Sequence, residues 1–337
     1  REQVCLVQFS TPQTDYLVDP LALPDLSPLA PLFANPGIEK IFHAAEYDVI
    51  CLNRDFGFSF ANIFDTMHAA RTLGYKAIGL GSLLKEKFGF EIDKRYQKAD
   101  WARRPLPPAL SDYARLDTHH LFSLRDLLDA ELKTRGRDQL ASEDFARLCR
   151  AYANGNNEKN NRPRWERVAG SQVLSLRELT ILNELVLCRE KIAEKLARPV
   201  FKVMNDQQLV DLARSAPASW DALLAAGLSI RQAQLVGQQV LAAIQRGQDA
   251  PLVERQPIER PNDALIQRID RLKKWRKKTA DKLGVESDIV LPRVYLSAIA
   301  EAAPQTRAAL QDILKDSPWR FATYGSDILK CLGVKEA

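Results

Sequence analysis

The chain has 337 residues, a formal net charge of +5 and ordinary fractions of apolar and charged residues, so it is long enough for two or three domains. It holds no apolar run of the roughly 20 residues that a membrane span needs, and it does not open with a secretory leader. Its five cysteines are scattered and never form a C-x-x-C pair, which argues against a disulfide framework and a zinc site. We therefore expect a cytoplasmic protein with no membrane partner.

Charge is distributed unevenly along the chain. Residues 1–150 carry 19 basic and 21 acidic residues, whereas residues 151–337 carry 29 and 22. A basic second half favours a polyanionic partner such as a nucleic acid. Because many basic surfaces bind nothing, charge alone does not identify the partner.

The first half of the chain predicts a layered α/β domain. Two runs of β-branched and aromatic residues, Val4–Phe9 and Tyr16–Val18, are separated by turn residues and predict a β-hairpin. Ile41–Phe42 and Ile63–Phe64 predict two further short strands, each leading into a helical pattern. Strands that alternate with helices indicate helices packed on a sheet.

A long helix is predicted from Pro107 to about Arg135, because prolines suit a first turn and Gly136 suits the position after a helix end. Its apolar positions recur every three or four residues, and Asp117 takes one of them. The stripe comprises Leu110, Ala114, Asp117, Leu121, Leu124, Leu128 and Leu132.

Asp117 interrupts this apolar stripe. A carboxylate on a core-facing stripe is costly unless it is compensated, and a bound metal ion is one such compensation. An aspartate that caps a neighbouring element or pairs with an arginine is the alternative. Tyr113 lies one turn earlier on the same face, so its hydroxyl is expected at the same site.

Carboxylates also follow both short strands. Asp48 comes after Ile41–Phe42, and Asp65 comes directly after Ile63–Phe64. Carboxylates at the edge of an α/β sheet are well placed to bind divalent cations. For Asp65 we favour the alternative of a helix N-cap, since Asp commonly precedes a helical run, and we expect His43 to be a structural hydrogen-bonding residue.

The second half of the chain contains an internal repeat. Residues 154–164 are polar and without periodicity, which predicts a linker, and helical patterns dominate after them. Residues 188–196 align with residues 275–283 at an offset of 87. The same offset relates Leu209 to Leu296, Leu212 to Ile299, Pro217 to Pro304 and Leu223 to Leu310. With a slip of one residue, Gly237 corresponds to Gly325. Such regularity predicts two copies of one small helical domain, joined at Pro257 to Pro261.

Several of these residues form motifs that resemble the ribonuclease D family of DEDDy exonucleases, to which the eukaryotic nuclear-exosome 3′-exonuclease is related. The matching motifs are His43-x4-Asp48, Phe64-Asp65-Thr66, Asp93-Lys94, Asp100-Trp101-x2-Arg104-Pro105-Leu106 and Tyr113-x3-Asp117. The duplicated helical unit resembles the HRDC domain, which is also found in RecQ-type helicases. The resemblance covers nearly the whole chain, and the two parts together are far more specific than either alone.

The resemblance implies a ribonuclease H-like α/β exonuclease domain followed by two all-α HRDC-like domains. We place the DEDDy 3′→5′ exonuclease domain at residues 1–150, a linker at 151–171, and the HRDC-like domains at 172–250 and 258–337. The implied activity is the trimming of RNA 3′ ends, such as those of tRNA precursors.

The resemblance also implies two divalent metal ions, Mg²⁺ or Mn²⁺, held by four acidic residues. Asp48 matches the aspartate of the family's second motif, and Tyr113 and Asp117 match the tyrosine and aspartate of the third. Two ions about 3.5–4 Å apart activate a water and stabilise the leaving oxygen in such enzymes. Asp48 and Asp117 are therefore the expected metal ligands, and Tyr113 is expected to orient the water.

One motif of the family has no match. Its first motif, Asp-x-Glu, lies on the strand before the one that Val4–Phe9 resembles, and Glu2 is the only acidic residue among residues 1–10. A sheet without that strand would expose backbone at its edge. We therefore expect an upstream segment with this motif rather than natural loss, and we do not expect full activity from residues 1–337 alone.

Two groups of basic residues are candidates for RNA binding. The first precedes the catalytic helix and comprises Lys94, Arg95, Lys98, Arg103 and Arg104. The second lies on a predicted helix with seven basic residues between Arg268 and Lys278, where Lys274, Trp275 and Arg276 combine cations with an aromatic ring. The alternative is a buried seam of Leu272, Trp275 and Thr279 whose basic face is merely solvated.

Two other functions compete with an exoribonuclease. The absence of Asp-x-Glu favours a nucleic-acid-binding scaffold without activity, whereas the presence of Tyr113 and Asp117 favours the enzyme. A DNA 3′-exonuclease is the second alternative, since metal chemistry at the phosphate does not depend on the 2′-hydroxyl.

Overall fold

The computed structural model describes residues 3–23, 25–97, 99–151, 163–196, 198–254 and 262–334. The chain divides into two compact units, one of residues 155–259 and one that combines residues 3–154 with residues 260–337. The predicted joint at Pro257 to Pro261 and most of the predicted linker lie outside the described residues. In the described part, no helix is long and apolar enough to cross a membrane. All five cysteines are free thiols.

Two short β-sheets lie in the first part of the chain. Strand β1 (Val7–Ser10) pairs antiparallel with β2 (Asp15–Val18), which confirms the predicted hairpin. Strand β3 (Lys40–Phe42) pairs in parallel with β4 (Ile63–Asp65), and Phe42 lies opposite Asp65. The carboxyl ends of β3 and β4 therefore meet at one edge, where the chain enters the helices that follow.

Helices cover these strands. They are α1 (Ala30–Ala34), α2 (Ala45–Phe56), α3 (Thr66–Leu73), α4 (Leu80–Phe88), α5 (Pro108–His119), α6 (Leu121–Thr134) and α7 (Asp138–Leu148). Two apolar clusters form the core here. One holds Val7, Val49 and Phe58, and the other joins Phe64 to leucines of α4 and α6.

The predicted single helix from Pro107 to Arg135 is wrong, because the chain leaves helical geometry at His120, where φ is −94° and ψ is 1°. The ring of His120 packs on Phe90 at 4.6 Å between centroids, and His119 hydrogen-bonds Asp15 at 2.9 Å. The two helices on either side of the break therefore bury separate faces.

This break also corrects the position of Asp117. The buried residues of α5 are Leu110, Tyr113 and Ala114, while α6 buries its leucines independently. Asp117 is exposed to solvent rather than facing the core. The apolar stripe predicted from the sequence belongs to two helices, so it does not pass through Asp117.

The two helical repeats have matching elements. The first consists of α8 (Leu176–Lys195), α9 (Val200–Val203), α10 (Asp206–Ser215), α11 (Trp220–Ala225) and α12 (Ile230–Asp249). The second consists of α13 (Asp263–Leu283), α14 (Ser287–Val290), α15 (Arg293–Ala302), α16 (Arg307–Ile313) and α17 (Pro318–Leu332).

Local details confirm the predicted duplication. The bounds of α9 and α10 coincide with those of α14 and α15 when 87 is added to each number. Ala216 and Ala303, also 87 residues apart, both take the left-handed conformation after a helix, with φ of 43° and 45°. L-residues rarely adopt this conformation, so its recurrence at matching positions is strong evidence for two copies of one unit.

The second repeat packs against the α/β part of the chain through a buried arginine. Arg320 of α17 is 0% exposed and donates to Glu143 at 2.8 Å and to Asp144 at 2.9 Å, both of which belong to α7. The backbones also approach closely, since a Cβ on Gly74 would lie 2.4 Å from the carbonyl oxygen of Gly284. Charge and shape together therefore fix this contact.

Candidate active site

Asp48 and Asp117 lie on different helices and both side chains reach solvent. Asp48 lies in the first turn of α2, directly after β3, and Asp117 lies in the last turn of α5. Asp48 therefore lies near the edge of the parallel strands, and Asp117 lies on a helix that packs against the hairpin.

The electrostatics of the two carboxylates show that they share one neighbourhood. The pKa of Asp48 is raised to about 6, first by desolvation and then by the negative charges of Asp65 and Asp117. Desolvation raises the pKa of Asp117 to about 6 as well. Both side chains reach solvent, yet nearby protein atoms desolvate their carboxylates enough to raise the pKa. The site is thus unusually unfavourable for two negative charges.

A divalent cation would relieve this unfavourable charge. Oxygen ligands from carboxylates are those that Mg²⁺ and Mn²⁺ prefer, and the raised pKa values show that the charged form of each carboxylate is destabilised here. No group of three or more His, Cys, Asp or Glu side chains among the described residues is arranged to hold a metal ion. The carboxylate oxygens of Asp48 and Asp117 are donors of the kind that such an ion prefers, and they would form part of its ligand set.

Tyr113 is held by aromatic contacts one turn before Asp117. Its ring is 7% exposed and lies 5.8 Å from the ring of Tyr96 and 5.9 Å from that of Trp101. Burial raises the pKa of its phenol, and the charges of Asp117 and Asp93 raise it further. At neutral pH the phenol therefore keeps its proton and can donate a hydrogen bond beside Asp117.

Tyr96 was not identified from the sequence. It lies in a short 3-10 turn at Lys94–Tyr96, and its contact with Tyr113 depends on how this loop folds back on α5. An isolated tyrosine in a loop has no periodicity that could have indicated this contact.

Asp65 and His43 have the structural roles expected of them. The carboxylate of Asp65 is fully buried and accepts a hydrogen bond from the backbone N–H of His68 at 2.8 Å, which confirms the predicted N-cap of α3. His43 shares a hydrogen bond of 2.9 Å with the hydroxyl of Thr66. Burial alone would raise the pKa of Asp65, but hydrogen bonds from His68 and Ala45 keep it below its usual value.

Of the basic residues before α5, Arg104 is engaged within the protein. It binds both carboxylate oxygens of Asp19, at 2.5 and 2.7 Å, and donates to the carbonyl oxygen of Cys5 at 2.7 Å. These bonds of the Arg104 guanidinium hold the loop before α5 to Asp19, the residue after β2, and leave few N–H groups to bind a phosphate. The structure thus gives Arg104 a structural role where we predicted RNA binding.

The other four residues of this group remain predictions. Arg103 is exposed, and Arg95 is also exposed but bound to Asp93 at 2.5 Å. Lys98 and the side chain of Lys94 lie outside the described residues. Arg103 is accordingly the best placed of the described members to meet a substrate.

For the second group of basic residues, on the helix that carries Trp275, the geometry favours the alternative of a buried seam. Trp275 packs edge-on against Tyr324, with ring centroids 5.7 Å apart, and Leu272 is 0% exposed. Arg276 donates to the carbonyl oxygen of Leu291 at 3.0 Å, and its repeat counterpart Arg189 donates to that of Met204 at 3.1 Å. Because this arginine–carbonyl hydrogen bond is present in both repeats, it stabilises the fold of each repeat.

Lys274 remains exposed on the same helix. It lines a shallow, open, basic depression with Lys277, Lys278, Asp281 and Lys282. RNA binding by Lys274 stays a prediction, without the stacking partner that we expected from Trp275.

The raised pKa values predict how stability depends on pH. For Asp48, a folded-state pKa of about 6 against 3.8 means that stability falls as the pH rises from about 4 to above 6. Without divalent cations, Asp48→Asn should therefore raise the melting temperature by a few degrees at pH 7.5 and leave it unchanged near pH 3.5.

Asp19→Asn is the matched control for this measurement by scanning calorimetry. Arg104 lowers the pKa of Asp19 to about 2, so its stabilisation is present above pH 3.8 and is lost as the pH falls through 2. This variant should lower the melting temperature at pH 7.5. If both variants changed the melting temperature at pH 7.5 in the same direction, our description of the site would be contradicted.

Comparison with known proteins supports both parts of the chain. A family of 3′-5′ exonucleases matches residues 1–133, and the HRDC domain family matches residues 178–244 and 266–332. A ribonuclease D from Jannaschia sp. is 30% identical over 349 residues, which cover 99% of this chain and 87% of that protein. Protein RRP6-like 1 from Arabidopsis thaliana is 36% identical over 225 residues, which cover 63% of this chain but only 35% of that protein.

The fold is also similar to a solved structure. The crystal structure of Escherichia coli RNase D superposes with a TM-score of 0.73 at 23% identity, covering 98% of this chain and 88% of that one. The similarity confirms the predicted fold, a ribonuclease H-like exonuclease domain followed by HRDC-like helical domains.

Proposed function

The chain belongs to the ribonuclease D family of 3′→5′ exoribonucleases, and from this we propose that it trims RNA 3′ ends at a two-metal site that includes Asp48 and Asp117. The observation that carries the proposal is the pair of solvent-accessible carboxylates with raised pKa values beside a neutral tyrosine. Structural aspartates are normally stabilised as anions by their partners, whereas these two are not.

Each residue has a distinct role in this proposal. Asp48 and Asp117 would hold divalent ions, Mg²⁺ or Mn²⁺, which supply electrostatic stabilisation of the charge that develops on the phosphate. Tyr113 would donate its hydroxyl proton in a hydrogen bond and so orient the attacking water. Tyr96 and Trp101 restrict the ring of Tyr113, so the hydroxyl is held in place before substrate binds.

The proposed substrates are structured RNAs with single-stranded 3′ ends, such as tRNA precursors. The E. coli RNase D of similar fold is described as an exoribonuclease involved in structured RNA processing. Arg103 and Lys274 are the described candidates for phosphate contacts, because both are exposed. Their contribution to binding should decrease as salt increases.

The test is a cleavage assay with the complete protein. We expect a 5′-labelled single-stranded RNA to shorten one nucleotide at a time in Mg²⁺ or Mn²⁺, and a tRNA precursor to lose its 3′ extension. A circular RNA of the same sequence has no 3′ end and should stay intact. Binding without shortening would instead support a scaffold, and equal rates on RNA and DNA would show that the 2′-hydroxyl is not recognised.

A further inference from the structure

We propose that Asp65 is a positioning residue that orients Asp48 by holding the start of α2. The proposal rests on the proposed function, in which Asp48 is a metal ligand. Asp65 itself is 0% exposed and directs both carboxylate oxygens at backbone N–H groups, so it is unavailable to substrate.

The carboxylate of Asp65 joins the first turns of two helices. Its Oδ1 accepts from the N–H of His68 in α3 at 2.8 Å, and its Oδ2 accepts from the N–H of Ala45, the first residue of α2, at 2.6 Å. Asp48 lies three residues after Ala45, in the same helical turn. The position of Asp65 therefore fixes the point from which the side chain of Asp48 extends.

The start of α2 requires this support. Ala44 precedes the helix with φ of 65°, a left-handed conformation that is unfavourable for an L-residue, and its side chain offers no capping bond. Asp65 supplies the missing cap from a distant part of the sequence. Without it, the first turn of α2 has a free N–H and a strained residue before it.

A second link reinforces the first. The hydroxyl of Thr66 donates to the carbonyl oxygen of Phe42 at 3.0 Å, so its only proton is engaged. His43 must then donate from Nδ1 to the oxygen of Thr66, across 2.9 Å. The connection between β3 and α2 is thus tied to the start of α3 at two points.

The experiment measures Mn²⁺ binding to the complete protein by titration calorimetry, alongside RNA cleavage as a function of Mn²⁺ concentration. Asp65→Asn keeps the volume of the side chain but turns an amide N–H toward one of the two backbone donors. We expect about 10–100-fold weaker Mn²⁺ binding, because loss of a residue that orients a ligand has this effect. The KM for RNA should stay unchanged.

Thr306→Ala is the matched control. Its hydroxyl caps α16 at 3.1 Å, in the second repeat, so the variant loses a helix cap that does not support Asp48. It should bind Mn²⁺ like the wild type. Equal weakening in both variants, or unchanged affinity in Asp65→Asn, would overturn the proposal.

Asp48→Asn separates this inference from the proposed function. If Asp48→Asn binds Mn²⁺ normally, Asp48 is not a ligand and the proposed function itself fails. If Asp48→Asn loses binding while Asp65→Asn does not, only the positioning role is wrong. Should Asp65→Asn not fold, Asp65→Ser keeps a capping oxygen for the N–H of His68 but loses the bond to Ala45. Weaker Mn²⁺ binding by this variant is expected, and unchanged binding excludes the role.

Discussion

Asp117→Asn is expected to lower the rate of RNA 3′ shortening by the complete protein by at least about 10²–10³-fold, the usual effect of removing one electrostatic contact from a transition state. The amide cannot supply the negative charge that a divalent cation needs, although it keeps the shape of the side chain. Because the carboxylate of Asp117 is desolvated and its pKa is raised to about 6, neutralising it should not destabilise the fold. The measurement is kcat/KM on a 5′-labelled single-stranded RNA in Mg²⁺.

Asp112→Asn is the control on the same helix. The side chain of Asp112 is 78% exposed, and its nearest cation, Arg115, is 3.9 Å away, so this variant should retain wild-type rates. The kcat/KM of Tyr113→Phe should lie between those of Asp117→Asn and Asp112→Asn. Its ring still packs between Tyr96 and Trp101, while the hydroxyl is lost. Undiminished cleavage by Asp117→Asn would show that the site is misplaced.

Arg320→Met is expected to destabilise the unit that contains the second repeat by about 3–5 kcal/mol, because breaking a buried ion pair leaves uncompensated charge in the interior. Glu143 would remain buried without its cation, and Asp144 would keep only its longer ion pair with Arg147, at 3.4 Å. Burial raises the pKa of Glu143, and the charge of Arg320 counteracts this effect. The loss of stability should therefore be greater at pH 8 than at pH 5, where a protonated Glu143 is tolerated.

Urea unfolding followed by tryptophan fluorescence measures this effect, since Trp275 and Trp319 both lie in the second repeat. Arg150→Met is the matched control. The ion pair of Arg150 with Asp316 spans 3.3 Å, and its two side chains are 50% and 47% exposed. Its loss should cost ~0–1 kcal/mol. Comparable costs for both variants would contradict a buried docking contact.

A compensating variant tests the same contact from the other side. Combining Arg320→Met with Glu143→Gln removes the uncompensated charge and should recover much of the lost stability. No recovery would mean that packing of the Arg320 side chain, rather than its charge, holds the repeat in place.

The repeats show how this docking arginine differs from its counterpart. With the slip of one residue that aligns the glycines, Arg320 corresponds to Gln232. Gln232 donates to the carbonyl oxygen of Val203 at 3.0 Å, and Arg320 donates to that of Val290, 87 residues later, at 3.1 Å. Both side chains thus serve the repeat itself, and only the arginine has further donors for the carboxylates of α7.

Much of the fold could be predicted because the relevant interactions are local. The hairpin at Val7–Val18 and the N-cap at Asp65 depend on residues close in sequence, so composition and spacing were sufficient. The single long helix was wrong because the break at His120 depends on contacts with Phe90 and with Asp15 through His119. Periodicity alone does not reveal a break that distant residues impose.

The residues of the candidate site could also be predicted only in part. Resemblance to the family's motifs predicted Asp48, Tyr113 and Asp117 as site residues. Helix periodicity attributed to Asp117 a core-facing position that the structure does not show. Similarly, a run of basic residues predicted Trp275 as a stacking platform, whereas Tyr324, 49 positions later in the printed sequence, covers its ring. Which face of a helix is buried depends on the elements that pack against it.

By itself the sequence determined the α/β order of the first domain and the duplication at an offset of 87, because each is a regularity along the chain. The expected site residues came from motifs that resemble those of the family. The tertiary structure alone decided that Asp65 holds the helix of Asp48 and that Arg320 docks the second repeat on α7. Those contacts join residues 20 and 177 positions apart. Their energies come from burial and hydrogen-bond geometry, which exist only after the chain has folded.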